Sequence, residues 1–141
     1  MITFLIDSDI AIDYRGGNPD IEALVAPLLA DGVAISVVTL MEIYQGLLRL
    51  PLPTSALAEL NTFLGGMGVL PVTRAVAQRC AEIRADLQSR GRSVRPRALD
   101  LLIGATAIEH NLTLVTRNVA DYRDVPGLRL MTPPGSKSAT T

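Results

Sequence analysis

The chain has 141 residues, 48% of them hydrophobic and 19% charged, which sets one globular domain around a single core and excludes a disordered or two-domain chain. One cysteine, Cys80, and one histidine, His110, exclude a disulfide framework, a Cys/His zinc centre and chemistry by paired imidazoles. Two Phe, three Tyr and no Trp leave little for base-stacking platforms, and a formal charge of -1 argues by itself against a polyanion partner.

The chain opens Met-Ile-Thr-Phe-Leu-Ile, without a basic leader or a small-residue cleavage site. No apolar stretch approaches the roughly 20 residues of a membrane span, so a soluble cytoplasmic protein is expected, and the free Cys80 agrees with a reducing compartment. Ile2 to Ile6 lacks polar alternation, the pattern of a strand buried on both faces, and Val33 to Val38 and Leu112 to Val115 share it. Val69 to Val72 and Leu128 to Met131 add two further strand candidates. Helical periodicity falls between them, over Ile21 to Ala30, Leu40 to Leu48, Leu57 to Leu64, Ala75 to Gln88 and Arg97 to Glu109. Gly65-Gly66, Gly91 and Asn111 stand where helices stop, and Pro51 and Pro53 break the chain after Leu48. The alternation predicts an α/β domain over residues 1–131, with a central, mainly parallel five-stranded sheet between two helical layers. Residues 132–141, Thr-Pro-Pro-Gly-Ser-Lys-Ser-Ala-Thr-Thr, read as a flexible tail.

In such a sheet, ligands bind beyond the carboxyl ends of the strands, and acids gather there. Asp7 follows the first strand directly, one position early for a simple cap, with Ser8 and Asp9 behind it; Asp9 suits a helix cap. Thr39-Leu-Met-Glu42 follows the second strand and matches a capping box, with Thr39 as cap and Glu42 reaching back to it. Asp100 starts a helix that is apolar almost all round, where a carboxylate needs a cation, either an arginine such as Arg95 or Arg97 or a metal. Gly104, one turn later on the same face, leaves room for another backbone. Asn118 and Asp121 follow the last strong strand and suit a turn and a cap. Each local explanation stands alone, yet together they place Asp7, Glu42, Asp100 and Asp121 on one rim. Like charges in one cleft call for a hard divalent cation, and without histidine or cysteine Mg²⁺ or Mn²⁺ is favoured over zinc or copper.

Phe4-Leu-Ile-Asp7-Ser8, Thr39-Leu-Met-Glu42-Ile-Tyr-Gln-Gly46, Asp100-Leu-Leu-Ile-Gly-Ala-Thr-Ala and Leu114-Val-Thr116-Arg-Asn118-Val-Ala-Asp121-Tyr122, followed by Val125-Pro-Gly127-Leu-Arg-Leu, are ordered blocks across nearly the whole chain. In these blocks the sequence resembles the PIN-domain ribonucleases, and within them the VapC-like toxins of bacterial and archaeal toxin–antitoxin pairs. The resemblance implies a PIN-like α/β/α fold and an endoribonuclease dependent on Mg²⁺ or Mn²⁺. It also implies a homodimer, and a cognate antitoxin whose C-terminal segment enters the active-site groove. It places the metal-site acids at Asp7, Glu42, Asp100 and Asp121, an orienting hydroxyl at Thr116, and polar neighbours at Ser8 and Asn118. The chain departs from the family pattern at Asp9, where Asn is frequent, at Gly104, where Ala is usual, and at Tyr122, where Phe is usual. Neither Gly104 nor Tyr122 is expected to touch the chemistry.

On this basis Asp7, Glu42 and Asp100 hold one Mg²⁺, and Asp121 completes the site or recruits a second ion at roughly 4 Å. The basic run Arg84, Arg90, Arg92, Arg95 and Arg97 offers contacts to an RNA backbone, or else a solvated helix face. Removing the proposed metal acids leaves 13 basic against 10 acidic side chains, since 14 less four is 10, and the chain then carries +3. A phosphoacceptor signalling module or a phosphatase of the haloacid dehalogenase type would need a lysine at a late strand end, and the only lysine is Lys137. A PIN nuclease that processes RNA outside a toxin–antitoxin pair is the remaining alternative.

Overall fold

The computed structural model describes residues 1–133; the expected tail lies, from residue 134 onward, outside the described residues. The chain forms β1 (Phe4–Ile6), α1 (Ser8–Arg15), α2 (Pro19–Val25), a 3-10 turn (Ala26–Asp31), β2 (Val33–Ser36), α3 (Val37–Leu48) and α4 (Thr54–Leu64). It continues with β3 (Gly68–Leu70), α5 (Arg74–Ser89), a 3-10 turn (Arg95–Arg97), α6 (Ala98–Glu109), β4 (Thr113–Val115), α7 (Val119–Tyr122) and β5 (Arg129–Met131). The five strands form one sheet in the order β3-β2-β1-β4-β5, and every pairing is parallel.

Successive strand residues face opposite ways, so each short strand feeds two cores. Ile6, Val33, Ile35 and Val115 pack on one face with Ile10 and Ala11 of α1, Ile21 and Val25 of α2, Ile43 and Leu47 of α3 and Leu60 of α4. Leu5, Ala34 and Leu114 pack on the other with Ile103 and Ala107 of α6 and Tyr122 of α7. Helix α5 covers α6 in turn through Val76, Cys80, Ile83 and Leu87 against Leu101 and Ala105. The expected α/β/α sandwich is the one observed.

The differences from expectation have local causes. The run Val33 to Val38 is strand only as far as Ser36, whose hydroxyl accepts the Val38 amide at 3.0 Å and so starts α3 three residues early. Pro27 carries no amide hydrogen, and the helix expected to continue to Ala30 changes to a 3-10 turn there. The space beside Gly104 is filled not by backbone but by the Tyr122 ring and Leu128, 3.6 to 3.8 Å from where a Cβ would stand. Among the described residues no helix is long and apolar enough to cross a membrane.

The turn that enters β2 depends on Gly32. Its φ is 86°, its carbonyl accepts the Thr3 and Phe4 amides at 2.9 and 3.1 Å, and a Cβ would lie 2.0 Å from the Met1 carbonyl oxygen. Gly32→Ala is expected to destabilise the fold by about 2 kcal/mol or more, from the left-handed backbone and the clash together. A urea midpoint equal to wild type would contradict this.

Candidate active site

All five strands are parallel, so their carboxyl ends share one rim, and the polar groups that escape the core collect there. Asp7 is the first residue past β1, is only 2% exposed, and its amide donates to the Val115 carbonyl at 2.9 Å. It is itself the N-cap of α1, so the expectation that it stands too early to cap is corrected. Its Oδ1 accepts the Ser8 amide at 2.8 Å and the Tyr122 hydroxyl at 3.1 Å, while its Oδ2 accepts the fully buried Thr116 hydroxyl at 2.7 Å. Thr116 in turn accepts the Asn118 amide at 2.9 Å, which fixes the direction of its proton toward Asp7. The Asn118 side chain itself is exposed.

Glu42 lies on α3, half-buried, and its Oε1 accepts the Ser8 hydroxyl at 2.7 Å. Buried Thr39 stands 3.0 Å from the same hydroxyl; because the Ser8 proton is given to Glu42, Thr39 is the donor. The capping box is therefore corrected: Ser36 caps α3, while Thr39 and Glu42, three residues apart on one face, both turn toward Ser8. Asp100 sits half-buried in the first turn of α6, and Asp121 half-buried on α7.

The electrostatics show that these acids face one another. Burial pushes Asp7 up to about 6, with Asp9 and Asp100 adding to the rise and the Thr116 and Ser8 bonds opposing it. Asp100 is also raised, first by burial and then by Asp121 and Glu42, against smaller opposition from the Tyr122 bond and Arg97. Burial, then the two carboxylates it touches, drives the Tyr122 phenol far above its ordinary range, so it is a neutral donor at any working pH.

Several side chains fall elsewhere than expected. Arg97 does not pair with Asp100; its guanidinium makes a fork to Asp124, at 2.9 and 2.6 Å, and also donates to the Asp121 carbonyl. Both partners are largely buried, so Arg97 holds the α7 segment rather than presenting charge to solvent. Arg90 binds Asp86 and the Asp124 carbonyl, whereas Arg92 and Arg95 are exposed on the segment that leads into α6. Asp9 accepts the Ile10 amide at 2.9 Å and pairs with Arg117 at 3.2 Å, and Arg117 also binds Asp13. Arg117 is not singled out by sequence, its one signal being adjacency to Thr116, and the expectation that Tyr122 touches none of the chemistry is corrected, because its hydroxyl donates to Asp7 at 3.1 Å.

The donors on this rim are carboxylates and hydroxyls. His110 caps the far end of α6, and Cys80 is buried in the α5–α6 layer. Among the described residues no group of three acidic, histidine or cysteine side chains closes into a ready cage for an ion. The set fits a hard, hydrated cation that keeps waters between itself and some carboxylates.

The PIN domain family profile matches residues 4–128. The chain belongs to the PIN-domain family. Within it, the chain is 33% identical over 129 residues to the tRNA(fMet)-specific endonuclease VapC of Shigella flexneri, covering 92% of this chain and 96% of that protein. Among solved structures, this PIN domain superposes on DNA-bound VapBC from Salmonella typhimurium with a TM-score of 0.83 at 28% identity, covering 94% of this chain and 98% of that one. It also superposes on VapBC-5, a member of the VapBC family of toxin–antitoxin systems from Mycobacterium tuberculosis, with a TM-score of 0.68 at 28% identity, covering 94% and 99%.

Because Asp7 in the folded PIN domain rises from 3.8 to about 6, its contribution favours the fold below about pH 4 and is lost as pH climbs through 6. The loss amounts to about 3 kcal/mol. In chelator-treated protein, thermal stability should rise between pH 7.5 and 5, and Asp7→Asn should flatten that rise. Equal pH dependence in the two proteins would contradict the assignment.

Proposed function

We propose that this PIN domain, spanning residues 1–131, is a metal-dependent endoribonuclease and the toxin of a type II toxin–antitoxin pair. It works in the cytoplasm as a homodimer and is silenced by a cognate antitoxin whose C-terminal segment enters the acidic groove. Mg²⁺ is the metal of this reading, with Mn²⁺ able to substitute. The observation that carries it is the convergence on one rim of Asp7, Glu42, Asp100 and Asp121, mutually repelling carboxylates of which Asp7 is almost wholly buried. A cation resolves that repulsion. The nuclease names of the VapC relatives, and the toxin–antitoxin assemblies among the structural neighbours, support RNA as substrate and an antitoxin as partner.

Asp7, Glu42, Asp100 and Asp121 would hold the ion, whose chemistry is the activation of water and the neutralisation of charge developing on phosphate. The chain's own groups prepare that chemistry. Thr116 and the Ser8 amide aim Asp7, the Ser8 hydroxyl with Thr39 behind it aims Glu42, and Arg97 fixes the backbone of Asp121. Exposed Asn118 would face the substrate, and exposed Arg92 and Arg95 would bind the RNA backbone without regard to sequence.

Asp7→Asn and Asp100→Asn should each lower Mg²⁺-dependent RNA cleavage by about a hundredfold or more and relieve growth arrest on expression. Full activity in either variant would overturn the assignment. Arg92→Ala and Arg95→Ala should weaken RNA binding across sequences and reduce its salt slope by about one each. An unchanged slope would remove them from the interface.

A further inference from the structure

Tyr122 is the largest fully buried side chain on the described chain, and its hydroxyl points away from the apolar cluster that holds the ring. A buried phenol must find a polar partner, and here the partners are carboxylates. The hydroxyl donates to Asp7 Oδ1 at 3.1 Å, and the Asp100 carboxylate is close enough to act on it electrostatically. Asp7 stands at the end of β1, so a third element, α7, tethers an acid that Asp100 of α6 repels.

The geometry points to Tyr122 as a positioning residue: we propose that its hydroxyl holds Asp7 Oδ1 in place and thereby sets the affinity of the site for a divalent cation. This rests on the reading of these acids as metal ligands. Like charges left to themselves move apart, and a hydrogen bond from a rigidly seated phenol holds Asp7 Oδ1 against the repulsion of Asp100. An octahedral cation with oxygen ligands at about 2.1 Å tolerates little displacement of them, so holding one ligand oxygen in place favours the bound ion. The ring is seated to do this. It is buried in the core below β1 and β4, lies beside Gly104 of α6, and is carried by a segment whose backbone is tied to Arg97 through the Asp121 carbonyl. Deleting the hydroxyl leaves every apolar contact in place and removes only that hydrogen bond.

The test is calorimetric titration of the full chain with Mn²⁺, comparing wild type, Tyr122→Phe and Asp7→Asn. Tyr122→Phe should raise the Mn²⁺ dissociation constant about tenfold. The half-saturating Mn²⁺ concentration for RNA cleavage should rise equally, and the rate at saturating Mn²⁺ should stay close to wild type. A purely structural role would instead lower the rate at every metal concentration and leave the dissociation constant alone. Equal affinity in wild type and Tyr122→Phe, with binding lost in Asp7→Asn, overturns the role of Tyr122 and leaves the metal-site reading intact. Equal affinity in wild type and Asp7→Asn overturns that reading and the inference with it. A second measurement needs only folded protein with its ring in place. With three tyrosines and no tryptophan, the near-UV spectrum is a tyrosine spectrum. Adding Mg²⁺ should perturb it in wild type, Tyr14→Phe and Tyr44→Phe, and an absence of change in wild type overturns the inference.

Discussion

A carboxylate with almost no access to water, at the end of the central strand, constrains everything around it. Asp7 would be costly at that position without partners, because burying an acid without hydrogen bonds loses its hydration. Its compensation comes from three directions, through the Ser8 amide at the start of α1, the Thr116 hydroxyl past β4 and the Tyr122 hydroxyl on α7. Ser8 belongs to the connection that leaves β1, and Thr116 and Tyr122 to the one that runs from β4 to β5. The same bonds that make the acid tolerable therefore fix the mutual positions of β1, β4 and the helices that follow them, and they leave Asp7 with its charge still disfavoured. Local stability is spent on a poised group, which is the pattern of a functional site rather than a structural one.

The remaining acids reach the rim by topology. Parallel strands send every crossover helix away from one edge and return the next strand toward it, so α3 leaves the rim beside β2 and α6 starts there with Asp100 in its first turn. The start of α3 is the sensitive point. Were Thr39 its cap, Glu42 would fold back on the helix end; with Ser36 as cap, Thr39 and Glu42 lie one turn apart and both meet Ser8. A shift of three residues in the helix start converts a capping motif into one side of the site.

Much of this was legible in the sequence because strand ends and buried acids leave strong local marks. Uninterrupted apolar runs located β1, β2 and β4, and an acid or hydroxyl directly after each located the rim. What stayed hidden depends on contacts between segments far apart in the chain. The partner of Arg97 is Asp124 rather than Asp100, and that of Arg117 is Asp9 and Asp13, choices made by packing over 27 and more than 100 residues of separation. Tyr122 carries its polar atom on an apolar ring, and periodicity sees only the ring. The Ser36 cap was missed because two β-branched residues after it, Val37 and Val38, read as more strand.

Net charge misdirected the first reading for a related reason. The total of -1 adds side chains that neutralise each other inside the fold to side chains that do not. The guanidinium groups of Arg97 and Arg117 are given to Asp124, Asp9 and Asp13. Asp100 is left with a field in which Asp121 and Glu42 outweigh Arg97. The fold thus sorts its acids into a group paired with arginines and a group whose charges act on one another. A mobile lysine or arginine could supply one positive charge to the second group, but a divalent ion supplies two in a volume that fits between carboxylates and keeps water at hand. With such an ion bound, as the proposed function requires, the rim would no longer repel phosphate, and the exposed arginines on the approach to α6 would act without a field of the opposite sign.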